Sequence, residues 1–290
     1  MFIKENRKSY PLKLMCRVLK VNRSGYYKWL RRKYSSKLIE DRMLLEIIRF
    51  HYNKSSRRYG SPRITAAIRR GGLKVNRKKV ARLMRIHNIR AKTKKRFKST
   101  TKQNSKAQAS ENLLKGNFRA EEKNKIWTSD ITYLWTSEGW LYLAVIMDIY
   151  SRKIIGYSLS SRLTAELVNR ALTMAVTHRN PSEGLIVHSD RGSQYTSESF
   201  RKLLRAYRMV QSMSSSGNCY DNAITESFFH TLKTELVNFE KYETREQAKQ
   251  STFQYIEIFY NRQRLHSAIG YLSPVELEEN NNVDLNERVA

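Results

Sequence analysis

Cysteine and long apolar runs are scarce in this chain of 290 residues. Its two cysteines, Cys16 and Cys219, are too few for a zinc site of four thiolates, and they suit a reducing compartment. No apolar run approaches the roughly 20 residues that a membrane-spanning helix needs, and residues 1–8 contain no apolar signal core. We therefore expect a cytoplasmic protein that does not span a membrane.

Acidic residues are almost missing from the first third of the chain. Residues 1–100 contain 32 Lys and Arg against four Asp and Glu, a net charge of +28. Residues 101–290 contain the other 23 bases and 22 acids, a net charge of +1. Cations in such number bind a polyanion by releasing its condensed counterions. The asymmetry predicts a nucleic acid as the partner of the first third, with an anionic membrane surface as the alternative.

Two helical units are predicted in this basic third. Residues 1–36 form a small helical segment that resembles a helix-turn-helix, although a plain helical hairpin is an equal alternative. Residues 37–91 predict a helix-turn-helix DNA-binding domain. Within it, Ser61 is expected to cap a helix that contains Arg63, and Asn76 is expected to cap the next helix.

Five cations lie on the helix that Asn76 precedes: Arg77, Lys78, Lys79, Arg82 and Arg85. The first three occupy its first turn, where positive charge opposes the helix dipole. A DNA phosphate at this helix end would remove the conflict. We therefore predict that the five residues bind DNA, together with Arg63, and a solvated helix face is the alternative.

The pattern changes after a basic, polar linker at residues 92–124. Three strands are predicted first, at 126–134, 140–148 and 153–159. A helix, a strand before Asp190, a second helix, a short strand and a helix from Ala223 follow. This order predicts an α/β ribonuclease-H-like catalytic core at 125–240, with a five-stranded mixed sheet. Residues 241–290 are expected to form a C-terminal helical extension and tail.

Three acids occupy the places where such a core would expose them. Asp130 lies in the first strand, Asp190 just past the fourth, and Glu226 in the first turn of the last helix. Carboxylates that meet in one pocket repel, and one takes up a proton unless a cation neutralises the group. Mg²⁺ or Mn²⁺ prefers such oxygen ligands, and two ions about 3.5–4 Å apart suit phosphodiester chemistry. We therefore predict that the three acids are catalytic and bind two Mg²⁺ or Mn²⁺ ions.

The sequence around these acids carries a specific resemblance. WTSDITY at 127–133, HSDRGSQY at 188–195 and DNAITESFF at 221–229, with 35 residues between Asp190 and Glu226, resemble the orfB transposases of the bacterial insertion-sequence family numbered three. Three further motifs extend the resemblance over nearly the whole chain: YGSPRI at 59–64, VNRKKVARLM at 75–84 and YNRQRLH at 260–266.

Lys233 matches that family's basic residue. It lies seven residues after Glu226, on nearly the same face of the predicted helix, so a contact with DNA phosphate is expected of it.

The resemblance implies a magnesium enzyme with a core like that of retroviral integrases. Such an enzyme nicks DNA at the 3′ end of the element and joins the freed 3′ hydroxyl to another phosphodiester. It also implies a homo-oligomer on DNA, association with or fusion to the product of an upstream orfA frame, and a place at the bacterial nucleoid. Two other functions stay open: a DNA-binding regulator with an inactive core, and a ribonuclease-H-type nuclease that does not join DNA.

Several further residues are expected to have structural rather than catalytic roles. Asp148 is expected to be structural, with Arg152 as a suitable partner, and Asp221 to cap the last core helix. His188 is expected in the core or behind the metal ligands. The segment 260–266 suits DNA binding and core packing equally. Two tryptophans are expected in the core: Trp127 and Trp140.

Overall fold

In the computed structural model of this protein, the described residues are 2–31, 35–92, 110–114, 119–215 and 223–287. Asp221, with its predicted capping role, and Cys219 lie outside these ranges, as does most of the predicted linker at 92–124. Among the helices so described, none is long and apolar enough to cross a membrane.

Three short helices begin the chain: α1 (Phe2–Glu5), α2 (Leu12–Val18) and α3 (Arg23–Leu30). The side chain of Asn22 caps α3 because it accepts the backbone N–H of Ser24 at 3.0 Å. A small buried cluster holds the three helices together: Ile3, Met15, Cys16 and Tyr26.

A second helical unit contains α4 (Ser36–Lys54), α5 (Ser61–Arg70) and α6 (Arg77–Ile86). Asn76 caps α6 as predicted, because its side-chain oxygen accepts the backbone N–H of Lys78 at 2.8 Å. The predicted cap at Ser61 is wrong, since Ser61 is the first residue of α5 and Gly60 occupies the cap position. Apolar residues of all three helices are buried together: Leu44, Ile48, Ile64, Ile68, Val80, Leu83 and Met84.

Five strands form one sheet: β1 (Ile126–Thr136), β2 (Gly139–Asp148), β3 (Ile154–Ser160), β4 (Ile186–Ser189) and β5 (Val210–Met213). Their order across the sheet is β3-β2-β1-β4-β5. The first three strands are antiparallel, whereas β4 runs parallel to both β1 and β5. The predicted α/β class with a five-stranded mixed sheet of ribonuclease-H-like order is therefore confirmed.

Helices cover both faces of this sheet, α7 (Ala165–Arg179) and α8 (Glu198–Ala206) on one and α9 (Ala223–Glu235) and α10 (Arg245–Phe253) on the other, and α11 (Pro274–Glu287) follows them in the chain. Residues of α7 and α8 share a buried cluster with Trp127, and residues of α9 and α10 share the other with Leu134. Trp127 is buried as predicted, but Trp140 is 44% exposed, so its predicted place in the core is wrong. A Cβ at Gly156 would fall 2.3 Å from the Ala171 carbonyl oxygen, so glycine lets α7 pack onto β3.

The second helical unit docks onto the core through a buried charge cluster at Glu235, the last residue of α9. Arg264 donates to both Glu235 carboxylate oxygens, at 2.8 and 3.0 Å, and the Tyr255 hydroxyl donates at 2.9 Å. Arg63 of α5 adds a third donor at 3.3 Å. Tyr59 continues the junction, because its hydroxyl donates to the Gln263 carbonyl at 2.8 Å.

Most of the segment 260–266 belongs to this junction and is buried, whereas Arg262 and Gln263 are exposed. Tyr260, Arg264 and His266 are all buried. Burial, followed by the charges of Arg264 and Arg63, lowers the pKa of His266 to about 2, so its ring stays neutral. Core packing therefore holds for Tyr260, Arg264 and His266, and DNA binding by the exposed Arg262 stays a prediction.

We predict that Glu235→Ala strongly destabilises the fold. It leaves the buried Arg264 guanidinium without its counter-charge, and breaking a buried pair in this way costs about 3–5 kcal/mol. Urea unfolding followed by circular dichroism measures the loss. Glu198→Ala is the matched control, because its pair with Arg205 is exposed and its removal is expected to cost less than about 1 kcal/mol. Equal stability of the two variants would contradict the structural role of Glu235.

Candidate active site

The parallel pairing of β1 with β4 aligns the two predicted aspartates. Trp127 pairs with Val187 and Thr128 with His188 in the ladder. Asp130 and Asp190 each lie two residues beyond the last of these pairs, at equivalent places on neighbouring chains. Parallel strands lie about 4.8 Å apart, and residues two apart share a face. The two aspartates are therefore neighbours on the face of the sheet that α9 covers.

The start of α9 is tied to the same place by a hydrogen bond between two fully buried threonines. The hydroxyl of Thr225 donates to that of Thr128 at 2.9 Å. Thr128 precedes Asp130 by two residues, and Thr225 immediately precedes Glu226. The bond therefore sets the first turn of α9, and the exposed side chain of Glu226, beside the two aspartates.

The three carboxyls interact electrostatically. Burial first, and then the charge of Asp190, raises the pKa of Asp130 well above its usual value, and Glu226 adds to the rise. Partial desolvation of the carboxyl, and then the Asp190 charge, raise the pKa of Glu226, although the residue is exposed overall. Burial raises the pKa of Asp190, which a hydrogen bond from the Gly192 amide partly offsets. Without a cation, the site therefore opposes full ionisation of its own acids.

The donor set suits a hard divalent cation. The backbone amides of Ile131 and Gly192 donate to Oδ1 of Asp130 and Asp190, at 2.7 and 2.9 Å, and within the described residues no donor is seen at Oδ2 of either carboxylate. Across the described ranges, no three His, Cys, Asp or Glu side chains are grouped closely enough to hold a metal ion as they stand. The acids are thus coupled neighbours rather than a finished chelate, and carboxylate oxygens are what Mg²⁺ and Mn²⁺ bind.

Lys233 brings a positive charge to the same place. Its Nζ lies 4.8 Å from the ring centroid of Tyr133, which follows Asp130 by three residues. Burial lowers the pKa of Lys233, and the charge of Asp130 partly restores it. The predicted position on the Glu226 side of α9 therefore agrees with where the structure places this lysine.

Four residues around the acids have contacts that the sequence alone does not indicate. Thr128 and Thr225 are two of them. Ser129 and Tyr195 are two more, joined hydroxyl to hydroxyl at 2.9 Å on the opposite face of β1. Burial, and then the charges of Asp130 and Asp190, raises the pKa of Tyr195, so its hydroxyl stays protonated. These residues lie inside the motifs, but only the pairing of the strands shows what they contact.

The burial of His188 and Asp148 agrees with the structural roles expected of them. His188 is fully buried and within 2.9 Å of the Ser212 hydroxyl, so it packs behind the site. Asp148 is buried and accepts the backbone amides of Asn124 and Tyr150, at 2.9 and 3.0 Å. Its structural role agrees with the expectation. Its expected partner does not, because Arg152 contacts Asp148 through backbone atoms.

The predicted DNA-binding cations of α6 fall into two groups, exposed and paired. Arg77, Lys78 and Arg85 are exposed on α6. Lys79 and Arg82 each pair with Asp41 of α4, at 3.1 and 2.6 Å.

Arg63 faces the protein interior. Its Nε donates to the Leu265 carbonyl at 2.9 Å, and its Nη1 donates to Glu235. These bonds give the Arg63 guanidinium an internal role, and its predicted DNA contact stays a prediction.

Comparison with known proteins places this architecture in a class. A family model described as an integrase core domain matches residues 120–219, a second integrase core domain model matches 226–281, and an HTH-like domain model matches 39–97. Fold and site thus define an enzyme with an integrase-type core and an HTH-like DNA-binding domain.

Relatives of nearly full length narrow the class. The chain is 42% identical over 282 residues to the transposase InsF for insertion sequence IS3A of Escherichia coli (strain K12), covering 97% of this chain and 98% of that protein. It is 41% identical over 265 residues to the insertion element IS600 uncharacterized 31 kDa protein of Shigella sonnei, covering 91% and 97%. The chain belongs to the family of IS3 insertion-sequence transposases.

A solved structure, the catalytic core domain of BIV integrase, is 20% identical with a TM-score of 0.43, covering 56% of this chain and 99% of that chain. The fold assignment rests on the sheet order and the family models instead. Membership of the family makes this protein a polynucleotidyl transferase of DNA transposition that binds DNA. An integrase-type core also implies dependence on a divalent metal.

We predict that Thr225→Val slows the reaction without weakening DNA binding. The variant keeps the side-chain shape but removes the bond to Thr128 that positions Glu226, and a displacement of about 1 Å at a catalytic group costs up to about a hundredfold in rate. Strand-transfer kinetics and DNA titration separate the two effects. Thr234→Val is the matched control, since its hydroxyl donates to the His230 carbonyl of its own helix. An unchanged rate for Thr225→Val would remove the positioning role.

Proposed function

We propose that Asp130, Asp190 and Glu226 are the catalytic acids of this transposase and that together they bind two Mg²⁺ or Mn²⁺ ions. The observation that supports this assignment is the junction of three elements at one place. The β1–β4 register aligns the aspartates, and the Thr128–Thr225 bond brings the start of α9 to them. The raised pKa values of the acids give a physical reason for the site to take up cations.

In this proposal, the metal ions, when bound, activate the attacking oxygen and stabilise the leaving oxygen of the phosphodiester. The chain holds the donors in place and supplies charge around them. Lys233 binds a phosphate of the DNA strand that enters the site, because its ammonium lies at the acids and beside Tyr133. The same site first cuts at the element end and then joins the 3′ hydroxyl to target DNA.

The exposed cations of α6 are proposed to contact DNA outside the core. Arg77 and Lys78 occupy the first turn and Arg85 the last, all exposed. Lys79 and Arg82 contribute less, since their pairs with Asp41 already neutralise part of their charge.

Three broader predictions accompany this function. The chain is expected to act as a homo-oligomer on DNA, and to associate with or be fused to the upstream orfA product. The domain limits at 1–36, 37–91, 92–124, 125–240 and 241–290 also stay predictions. So does the place of action at the bacterial nucleoid.

We predict that Asp190→Asn abolishes strand transfer while DNA binding persists. The amide keeps the shape of the carboxylate but removes the charge that a divalent cation requires. Joining of a pre-cut element end in Mg²⁺ measures activity, and gel shift in EDTA measures binding. Mn²⁺ is expected to raise the melting temperature of the unchanged protein but not that of Asp190→Asn.

Glu198→Gln is the control for this substitution, because its carboxylate is exposed and pairs with Arg205 on its own helix. Retained joining by Asp190→Asn would reject the metal assignment. Cleavage without joining by the unchanged protein would favour the nuclease alternative. Binding without either reaction would favour the DNA-binding regulator.

We predict different salt dependence for two arginines of α6. Arg85→Ala should lower the slope of log affinity against log salt by about one unit, because one phosphate contact disappears. Arg82→Ala should change the slope less, because Arg82 already pairs with Asp41. Titration of duplex DNA at several salt concentrations measures both slopes. A larger change for Arg82→Ala would reverse the assignment on this helix.

A further inference from the structure

Three large aromatic side chains are exposed on the hairpin of β1 and β2. Tyr133, Trp135 and Trp140 are 48%, 59% and 44% exposed. The ring centroids of Trp135 and Trp140 are 4.7 Å apart, and those of Tyr133 and Trp140 are 5.0 Å apart. We call these three residues the hairpin aromatic cluster. Cross-strand pairing of Trp135 with Trp140 contributes to the hairpin, but it does not require the rings to remain open to solvent.

The cluster and the proposed active site meet around one strand edge. Tyr133 and Trp135 follow Asp130 by three and five residues, about 10 and 17 Å along β1, and these odd offsets place them on the face opposite Asp130. The β1–β4 ladder ends at Thr128, so the strand beyond it has an open edge there. Successive nucleotides of one strand rise by about 3.4 Å, so DNA that passes this edge reaches the cluster at least about three nucleotides from a phosphate at the acids. Lys233 joins the two places, because it interacts with Asp130 and lies over the ring of Tyr133.

The charge around the cluster suits a polyanion. Besides Lys233, the guanidinium of Arg245 lies at the hairpin turn, where it donates to the carbonyl oxygens of Glu138 and Trp140. One acid, Glu138, is also present there and accepts the backbone amide of Arg245. Exposed rings flanked by cations are the combination by which proteins bind single-stranded nucleic acid, since every base has a face that stacks on an aromatic ring.

We propose that the hairpin aromatic cluster stacks unpaired bases of the DNA strand whose phosphate occupies the active site. Bases within a duplex already stack on one another, so the cluster binds more tightly to a strand that has separated from its partner near the reacting phosphate. The cluster thereby favours DNA that is opened beside the cut over intact duplex. This inference rests on the proposed active site, because the position of Asp130 sets which part of the strand reaches the rings.

The test compares DNA probes that differ in bases but not in phosphates. One probe is a duplex with a short 3′ tail of thymidines, and the other carries a tail of the same length made of abasic units. Both are titrated against the full chain in EDTA, so that catalysis plays no part. The unchanged protein is expected to bind the thymidine tail about five- to a hundredfold more tightly, as the stacking of one or a few bases provides. Equal affinity for the two tails would overturn the proposal.

Variants of Trp135 assign the preference to the cluster. Trp135→Val keeps a residue suited to a strand but removes the ring, and it is expected to reduce the preference for thymidines at least threefold. Trp135→Phe keeps a ring and should retain most of it. Phe253→Val is the matched control, because Phe253 is 51% exposed on α10, outside the cluster, and it should retain the full preference.

The outcomes separate this inference from the active-site assignment. A full preference in Trp135→Val would overturn the stacking role, whatever the activity of the acid variants. If Trp135→Val does not fold, as judged by circular dichroism, the comparison of the two tails with the unchanged protein and with Trp135→Phe still decides. Loss of joining in Asp190→Asn together with equal binding of both tails would contradict the stacking proposal and leave the active-site assignment intact.

Discussion

The fold of this transposase gathers three acids that repel one another. Each carboxyl is disfavoured as an anion by burial, and the charge of Asp190 adds to the cost for Asp130 and Glu226. The β1–β4 ladder and the threonine bond hold their backbones together in spite of this. A pocket that opposes its own charge favours uptake of divalent cations, because a cation turns the repulsion into attraction. In the proposed assignment, this electrostatic conflict is what draws divalent cations to the three acids.

Helix α9 contributes to both the proposed active site and the junction with the second helical unit. Glu226 and Lys233 lie seven residues apart and share one face, whereas Glu235 lies nine residues from Glu226 and therefore points about 180° away. On that opposite side, Glu235 is bonded by Arg264, Arg63 and Tyr255. The helix that presents the third acid is thus the one onto which the helix-turn-helix unit docks, and the buried charge cluster limits how far α9 can shift.

The high positive charge of the first third does not act as one surface. Some of its cations are exposed on α6, as Arg77, Lys78 and Arg85 are. Others are committed to the protein, as Arg63 is at the junction and Arg82 is beside Asp41. A count of Lys and Arg therefore overstates how many contacts reach DNA, because internal pairs use part of the charge.

Much of this protein follows from its sequence. The order of strand and helix patterns indicated the ribonuclease-H-like core, because alternation of apolar residues reports local structure directly. The spacing of Asp130, Asp190 and Glu226, with the words around them, indicated the family, and the net charge of the first third indicated DNA. These features are local or additive along the chain, so they can be read without coordinates.

Other features depend on contacts between residues far apart in the chain. The bond from Thr225 to Thr128, the internal role of Arg63 and the exposure of Trp140 each depend on which elements pack together. A threonine, an arginine or a tryptophan has the same local pattern whether it faces the core or solvent. The pairing of the strands and the docking of α5 and α9 decide which of these places each residue takes, because side-chain partners are set by tertiary packing.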